Sequence, residues 1–313
     1  MAGESVRILS VQRSSYWERV VAQGYPVPQG EALDELTTEL AAMLGEPDPH
    51  VRDDIAYSVL HTWISEGVYD HLLSGLGDGL AYGLRQGLGE RETNSVLRRS
   101  YSAITLAGVV ARDNLIHTLP PAVVLTWADY AVAWILAEKD LRGWVPELGW
   151  VHAITHGADL LATLTASRHL GTDELAVLLD VVAERLLTQT DQRFSGHETE
   201  RLAYATMSLL HRNLVPTDVL ETWLERLAPM AGDVNAPNTP EPANKVNAME
   251  YLKALHLQLL LGVRGTPAQE ASASPQAAPK ARTDLLIALQ NALRSGSPWL
   301  YRQTARPSAP PAR

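Results

Sequence analysis

The chain is 313 residues long, 46% hydrophobic and 20% charged, with a formal net charge of −10. That acidity argues against non-specific nucleic-acid binding, which needs Lys and Arg to displace counterions from phosphates. The lack of cysteine excludes a disulfide framework, a thiolate zinc site, an iron–sulfur cluster and a cysteine nucleophile.

Apolar residues recur at three- and four-residue spacing, and strand-like alternation is nearly absent. The opening MAGESVRILSVQRSSYWERV has no continuous apolar core of the signal-peptide kind. A first helix is predicted over 31–45, before Pro47-Asp48-Pro49, and a second over 49–66. A third, 68–86, runs into LSGLGDGLAYGLRQGLGE (73–90). No strand precedes those glycines, so they read as close helix packing or a loosened helix and not as a nucleotide loop. The next helix, 92–112, carries Arg98, Arg99 and Ser100.

Pro120 and Pro121 open a helix over 120–138, since a first turn tolerates proline. The most apolar window, Ala122 to Ala137, is broken by Thr126, Asp129 and Tyr130, and no stretch approaches the ~18 apolar residues of a membrane span. No membrane association and a cytoplasmic location are therefore expected. A helix over 147–167 follows. Gly171-Thr172-Asp173-Glu174 is a stop, a cap and an acidic first turn. It opens 172–188, where Leu175, Leu178, Leu179, Val182 and Leu186 form one stripe that must be buried. Helices over 198–213, 216–229, 244–262 and 282–295 complete the series. Residues 230–245 hold too many Pro and Asn for a helix, and 264–281 have the Pro/Ala/Ser/Gln bias of a linker.

Helix starts are spaced so that a pair occupies roughly 45 residues, within the range of HEAT-type repeats. The expected fold is all-α, an α-solenoid of stacked antiparallel helix pairs. It divides into a helical-repeat domain (1–262), a flexible linker (263–281), an accessory helix (282–301) and a disordered tail (302–313).

The densest polar stretch is EKDLRGWVPELGWVHAITHGADLL, residues 138–161. On a helix starting near Leu148, His152, His156 and Asp159 fall at i, i+4 and i+7, within about 60° of one another. Two imidazoles and a carboxylate so placed can chelate a divalent cation such as Zn, Mn or Fe. They can equally form a buried hydrogen-bonded network, with Asp159 fixing a tautomer, or line a polar groove for an organic ligand. Trp144 and Trp150 bracket that face and could wall a pocket. Glu198 and Arg201 open a later helix after Gly196-His197, where acidic residues also simply favour a helix N-terminus. Asp140 and Arg142 lie in the turn before the histidine helix.

Several stretches in order resemble the bacterial family of domain of unknown function 2785. These are LGEPDPHVRDDIAYSVLHTWI (44–64), NSVLRRSYSAITLA (94–107), residues 138–161, ETERLAYA (198–205) and KVNAMEYLKALHLQL (245–259). The resemblance covers roughly 16–260. Leu97 stands where the family has an aromatic, and Tyr101 stands for Phe. The resemblance implies a helical, HEAT-like fold and no particular activity. Its polar signature falls on Arg99, Ser100, Asp140, Arg142, His152, His156, Asp159, Glu198 and Arg201.

The expected function is binding of a small molecule or peptide in a groove lined by the His152/His156/Asp159 face. Arg99, Ser100, Asp140, Arg142, Trp150 and Arg201 would contact the ligand. The alternative is a metal-dependent hydrolase or oxygenase, with His152, His156 and Asp159 as ligands and Glu198 as base. A protein-interaction scaffold is a third reading. Either site requires Asp140, Arg142, His152, His156 and Glu198 to share one groove.

Overall fold

The structure is a computed structural model that describes residues 13, 15–228, 241–263 and 278–301, without the side chains of 298 and 299. Residues 264–277 of the expected linker and the tail from 302 lie outside the described residues, as does most of the irregular stretch 230–245.

The described chain is all-α apart from one pair of two-residue strands. Helix α1 spans 15–22, and α2 spans Leu33–Met43. A π-helical stretch, His50–Tyr57, runs directly into α3, Ser58–Ser65. Next come α4 (Leu73–Gly83), α5 (Ser95–Ile116) and α6 (Pro121–Ala137). Strands β1 (Trp144–Val145) and β2 (Gly149–Trp150) precede α7 (Ala153–Thr165). The chain continues through α8 (Thr172–Leu187), α9 (Glu198–His211), α10 (Thr217–Leu227) and α11 (Ala243–Leu261). Helix α12 (Arg282–Gly296) and a last turn, Pro298–Tyr301, follow.

The helices pack in two rows. In one, α5, α7, α9 and α11 each touch the next; in the other, α4, α6, α8 and α10 do so. Helix α12 rests on α10 and α11, so the segment expected as an accessory helix extends the same packing. Sequence explains which row is inner. Ten of the residues of α7 are buried, including both small and large apolar ones, so this helix is enclosed on nearly all sides. Helix α10 buries only the stripe Leu220, Trp223, Leu224 and Leu227, while Asp218, Glu221 and Glu225 face water. Each such leucine contributes roughly 1.5–3 kcal/mol when fully removed from water.

The glycine-rich stretch serves close packing at two positions. A Cβ on Gly77 would collide with the Trp127 ring on α6, and one on Gly83 would collide with Ser102 on α5. Trp127 is fully buried and donates its indole N–H to Asp78 at 2.8 Å. No helix of the described residues is long and apolar enough to cross a membrane.

The largest departure from expectation lies before α7. The helix predicted over 147–167 begins only at Ala153, because Pro146-Glu147-Leu148 forms the turn of a hairpin. Trp144 pairs with Trp150 and Val145 with Gly149. Glu147 and Gly149 take positive φ (69° and 73°), a region closed to a continuing right-handed helix. The hairpin is held by a residue distant in the chain. Arg52, in the π-helical stretch and fully buried, donates to the carbonyls of Glu46, Pro47 and Leu148. A π-turn in a helix often marks a functional region. Here it presents Arg52 to a loop ninety-six positions later.

Candidate functional site

The hairpin changes the histidine geometry. His152 is not inside a helix; it is the N-cap of α7, in the left-handed region (φ 54°, ψ 28°). The His156 amide still donates to the His152 carbonyl at 2.9 Å, but the left-handed backbone at His152 sets its side chain apart from the regular helical spacing. The His152 ring instead lies flat on Trp150, with centroids 4.3 Å apart and planes 5° from parallel. Trp144 packs edge-on against Trp150 at 5.2 Å. The two imidazoles remain neighbours, 5.5 Å between centroids. On the far side of His156, Tyr101 meets it edge-on at 5.0 Å, and Tyr57 and His61 continue the series. Arg52 sits over the Tyr101 ring at 4.7 Å. A continuous ladder of rings thus runs from the hairpin across α7 and α5 to the junction of the π-helical stretch with α3.

Hydrogen bonding fixes the state of His156. Ser100 Oγ donates its single proton to the Val151 carbonyl at 2.5 Å. Ser100 Oγ is also 2.9 Å from His156 Nδ1, and the Ser100 carbonyl is 3.2 Å from the same nitrogen. Both oxygens can then only accept, so Nδ1 carries the proton and Nε2 is the acceptor nitrogen. Burial, with smaller repulsion from His152, pushes the His156 pKa down to about 3. Burial likewise takes His152 down to about 4, helped by Arg201 and His197. Both rings are neutral at pH 7, and His152 Nδ1 is buried without a hydrogen-bond partner.

Asp159 does not fix either tautomer. Its carboxylate accepts from Arg201 at 3.0 Å, and burial holds it above the usual carboxylate range despite that cation. With Asp159 on Arg201 and His152 turned onto Trp150, the three predicted ligands do not converge. Among the described residues no group of three His, Cys, Asp or Glu side chains is placed to hold a metal ion.

Glu198 is 2% exposed. Its Oε2 accepts from the Gly196 amide at 2.7 Å, so it braces the turn that leads into its own helix. A Cβ on Gly196 would sit 2.9 Å from the Trp150 ring and 3.2 Å from both Glu198 Oε1 and His152 Cε1. Glu198 therefore seats α9 against the hairpin behind the histidines, with burial raising its pKa. That seat matches a structural carboxylate better than a base open to substrate.

The other predicted contacts form a separate, closed cluster. Arg99 is fully buried and makes a two-point pair with Glu138, at 2.6 and 2.9 Å. Its remaining nitrogen donates to the carbonyls of Gln86 and Gly87 and to Ser95 Oγ. Asp140 receives both Arg142 and the Glu92 amide. Arg99, Asp140 and Arg142 thus tie α5 and the turn before it to the α6–β1 connection. Successive residues of α5, about 100° apart around the helix, thus serve different faces: Arg99 meets Glu138 and Ser100 meets His156. Arg98 is half-buried with its Nε unpartnered.

Sequence reasoning missed Arg52, Tyr57 and Tyr101. Arg52 and Tyr57 lie within the 44–64 signature stretch and Tyr101 within 94–107, which was the available signal.

No curated protein and no solved structure matches the chain. A family model described as "Protein of unknown function (DUF2785)" matches residues 84–257, which is more than half of the 313 residues. The matched span holds α5 through most of α11, including the hairpin, both histidines, Glu198 and Arg201; the 44–64 stretch lies before it. On that match, and with the signature residues assembled as described, the chain belongs to the DUF2785 family.

Proposed function

We propose that this protein is a helical solenoid that binds a small polar organic molecule or a peptide segment at the ring ladder beside α7. The alternating contacts of the two helix rows support the solenoid reading. The observation that carries the binding reading is the pair of adjacent neutral imidazoles, His152 and His156, set between Trp150 and Tyr101. Ring faces offer apolar contact area at low entropic cost, and acceptor nitrogens add direction. Arg201, 52% exposed and paired with Asp159, adds a charged rim to the same face. The reduced contact set is therefore Ser100, Trp150, His152, His156, Asp159 and Arg201, with Tyr57 and Tyr101 added.

The test is a fragment and peptide screen by ligand-observed NMR on purified full-length protein, run beside elemental analysis. Fragments competing for one site should be lost on His156→Asn and on Trp150→Ala while the helical circular dichroism is retained. About one Zn, Mn or Fe per chain, removed by His156→Ala, would instead establish the metal-dependent reading. Hits that bind both variants unchanged would place the ligand elsewhere.

A further inference from the structure

Beside the Arg99–Glu138 pair, the molecule opens into a cleft of about 1180 Å³ that Glu138 helps to line. It lies between the 88–91 turn, the C-terminus of α6, the C-terminus of α8 and the start of α11. None of the residues of the histidine site lines it. Its walls are rich in cations, although the chain as a whole is strongly acidic: Arg91, Lys139, Arg185 and Lys245 all line it. Against these stand Asp191, which is bridged to Arg91, and Glu138, whose carboxylate already binds Arg99. No carboxylate among the described residues lies within ion-pair distance of Lys139, Arg185 or Lys245.

Arg185 is the decisive group. It is only 4% exposed, yet its partners are carbonyls: Glu138 at 2.9 Å and Ile135 at 3.4 Å. Its Nε is buried with no partner. Two buried guanidiniums, Arg99 and Arg185, thus share the neighbourhood of one buried carboxylate. A buried cation without its own counter-charge is costly, and an anion entering the cleft would relieve it. Helix α11 adds to this, because its N-cap is Pro242, which has no side-chain cap to offer the first-turn amides. The Lys245 and Val246 amides turn back to the Pro242 carbonyl, and the positive end of this 19-residue helix borders the same cleft through Pro242, Asn244 and Lys245. Leu88 and Leu136 supply apolar wall beside the charges.

We infer that this cleft is a second binding site, for a small phosphorylated organic molecule, distinct from the ring ladder. The phosphate sits among Lys139, Lys245, Arg185 and the α11 N-terminus. The organic remainder lies on Leu88 and Leu136. A phosphate ester carries close to two negative charges at pH 7, which matches the surplus of cations. The volume exceeds that of a bare phosphate several-fold and lies a little above the ~300–1,000 Å³ usual for small-molecule pockets.

The test is calorimetric titration of the full chain with inorganic phosphate and with pyrophosphate, at constant ionic strength set by chloride. Saturable binding of roughly millimolar strength is expected. The double variant Lys139→Ala/Lys245→Ala removes two side chains at the cleft mouth and leaves the buried pairs intact. It should weaken binding by about tenfold or more. Lys253→Ala, an exposed change on the outer part of α11, should leave binding unchanged. His156→Asn should also leave it unchanged, which separates this site from the ring ladder. Absence of saturable heat with either anion would overturn the proposal. So would binding that survives in the double variant, because the anion would then sit elsewhere.

Discussion

Two polar clusters flank α5, and they are built on opposite principles. On one side, Arg99, Glu138, Asp140 and Arg142 are paired as ions and bonded to nearby backbone: Glu138 alone accepts from Arg99, Trp134 and the amides of Lys139 and Asp140. On the other side, the imidazoles of His152 and His156 are neutral, and they are held as much by ring contacts as by hydrogen bonds. Both clusters look alike in the sequence, as charged and polar residues inside apolar helices. The structure separates them by asking where each donor and acceptor goes. A charge whose every atom is used holds the fold together, whereas polar rings with spare capacity can serve a ligand.

That contrast predicts unequal costs of disruption. Glu138→Ala should have the largest effect, because it strands the fully buried Arg99 and removes the carboxylate nearest Arg185. Breaking one partner of a buried pair costs about 3–5 kcal/mol. Urea unfolding should show that loss as a lower midpoint with a similar slope. A loss below about 1 kcal/mol would mean that water replaces Glu138, and the cluster would no longer count as closed.

Ser100→Ala comes next. It removes the proton donor to the Val151 carbonyl and one of the acceptors for His156 Nδ1, with the Ser100 carbonyl remaining for the latter. The expected destabilisation is about 1–3 kcal/mol. The remaining Ser100 carbonyl should still hold the Nδ1–H tautomer. In nitrogen-15 NMR of wild-type protein, His156 should read as the Nδ1–H form. Finding the Nε2–H form would refute the assignment made from the Ser100 geometry.

Much of the fold was legible in the sequence, for identifiable reasons. Long helices such as Pro121–Ala137 and Thr172–Leu187 were predicted to within a residue or so, because proline, glycine and acidic first turns mark their ends. The glycine-rich 73–90 stretch was readable as close packing, although not which ring fills each gap. The start of α7 was misread because apolar spacing continues through Val145, Leu148 and Val151 as it would in a helix. Positive φ at Glu147, Gly149 and His152 is invisible to periodicity. The candidate site was legible as a set of residue types. Its division was not, because that depends on pairings such as Arg52 with Leu148 and Arg99 with Glu138, which are separated by most of a hundred and about forty positions.

The histidine side also predicts a pH effect that the closed side does not share. His152 and His156 have folded pKa values near 4 and 3, below the unperturbed value of about 6.5. The unfolded chain therefore binds more protons between those limits. Stability should be fully present above about pH 7 and fall as pH drops from about 6.5 toward 4. For His156 the loss between pH 7 and 5 is on the order of 1–2 kcal/mol; His152 adds a further, solvent-screened part. Asp159 and Glu198 oppose this, since their raised pKa values favour the folded state as they protonate at lower pH. The clean observable is the difference between wild type and His156→Asn, whose stability should be flatter from pH 7 to 5. Parallel curves would show that His156 is protonated in the fold.

The smallest effect on stability is expected at Arg201. Its pair with Asp159 is geometrically good, but the guanidinium side chain is 52% exposed and the carboxylate 19%. An ion pair of that kind is worth about 0–1 kcal/mol, because solvent screens it and ordering a long side chain offsets the attraction. Arg201→Ala should therefore barely move the urea midpoint at pH 7. It should act instead on its neighbours. Loss of the cation removes an interaction that holds the Asp159 pKa down, so Asp159 should titrate at higher pH. It also removes the repulsion that Arg201 exerts on protonated His152, so His152 should titrate at higher pH as well. Both shifts are readable by NMR titration of the variant. A midpoint loss comparable to that of Glu138→Ala would place Arg201 with the closed cluster and remove the distinction between the two sides of α5.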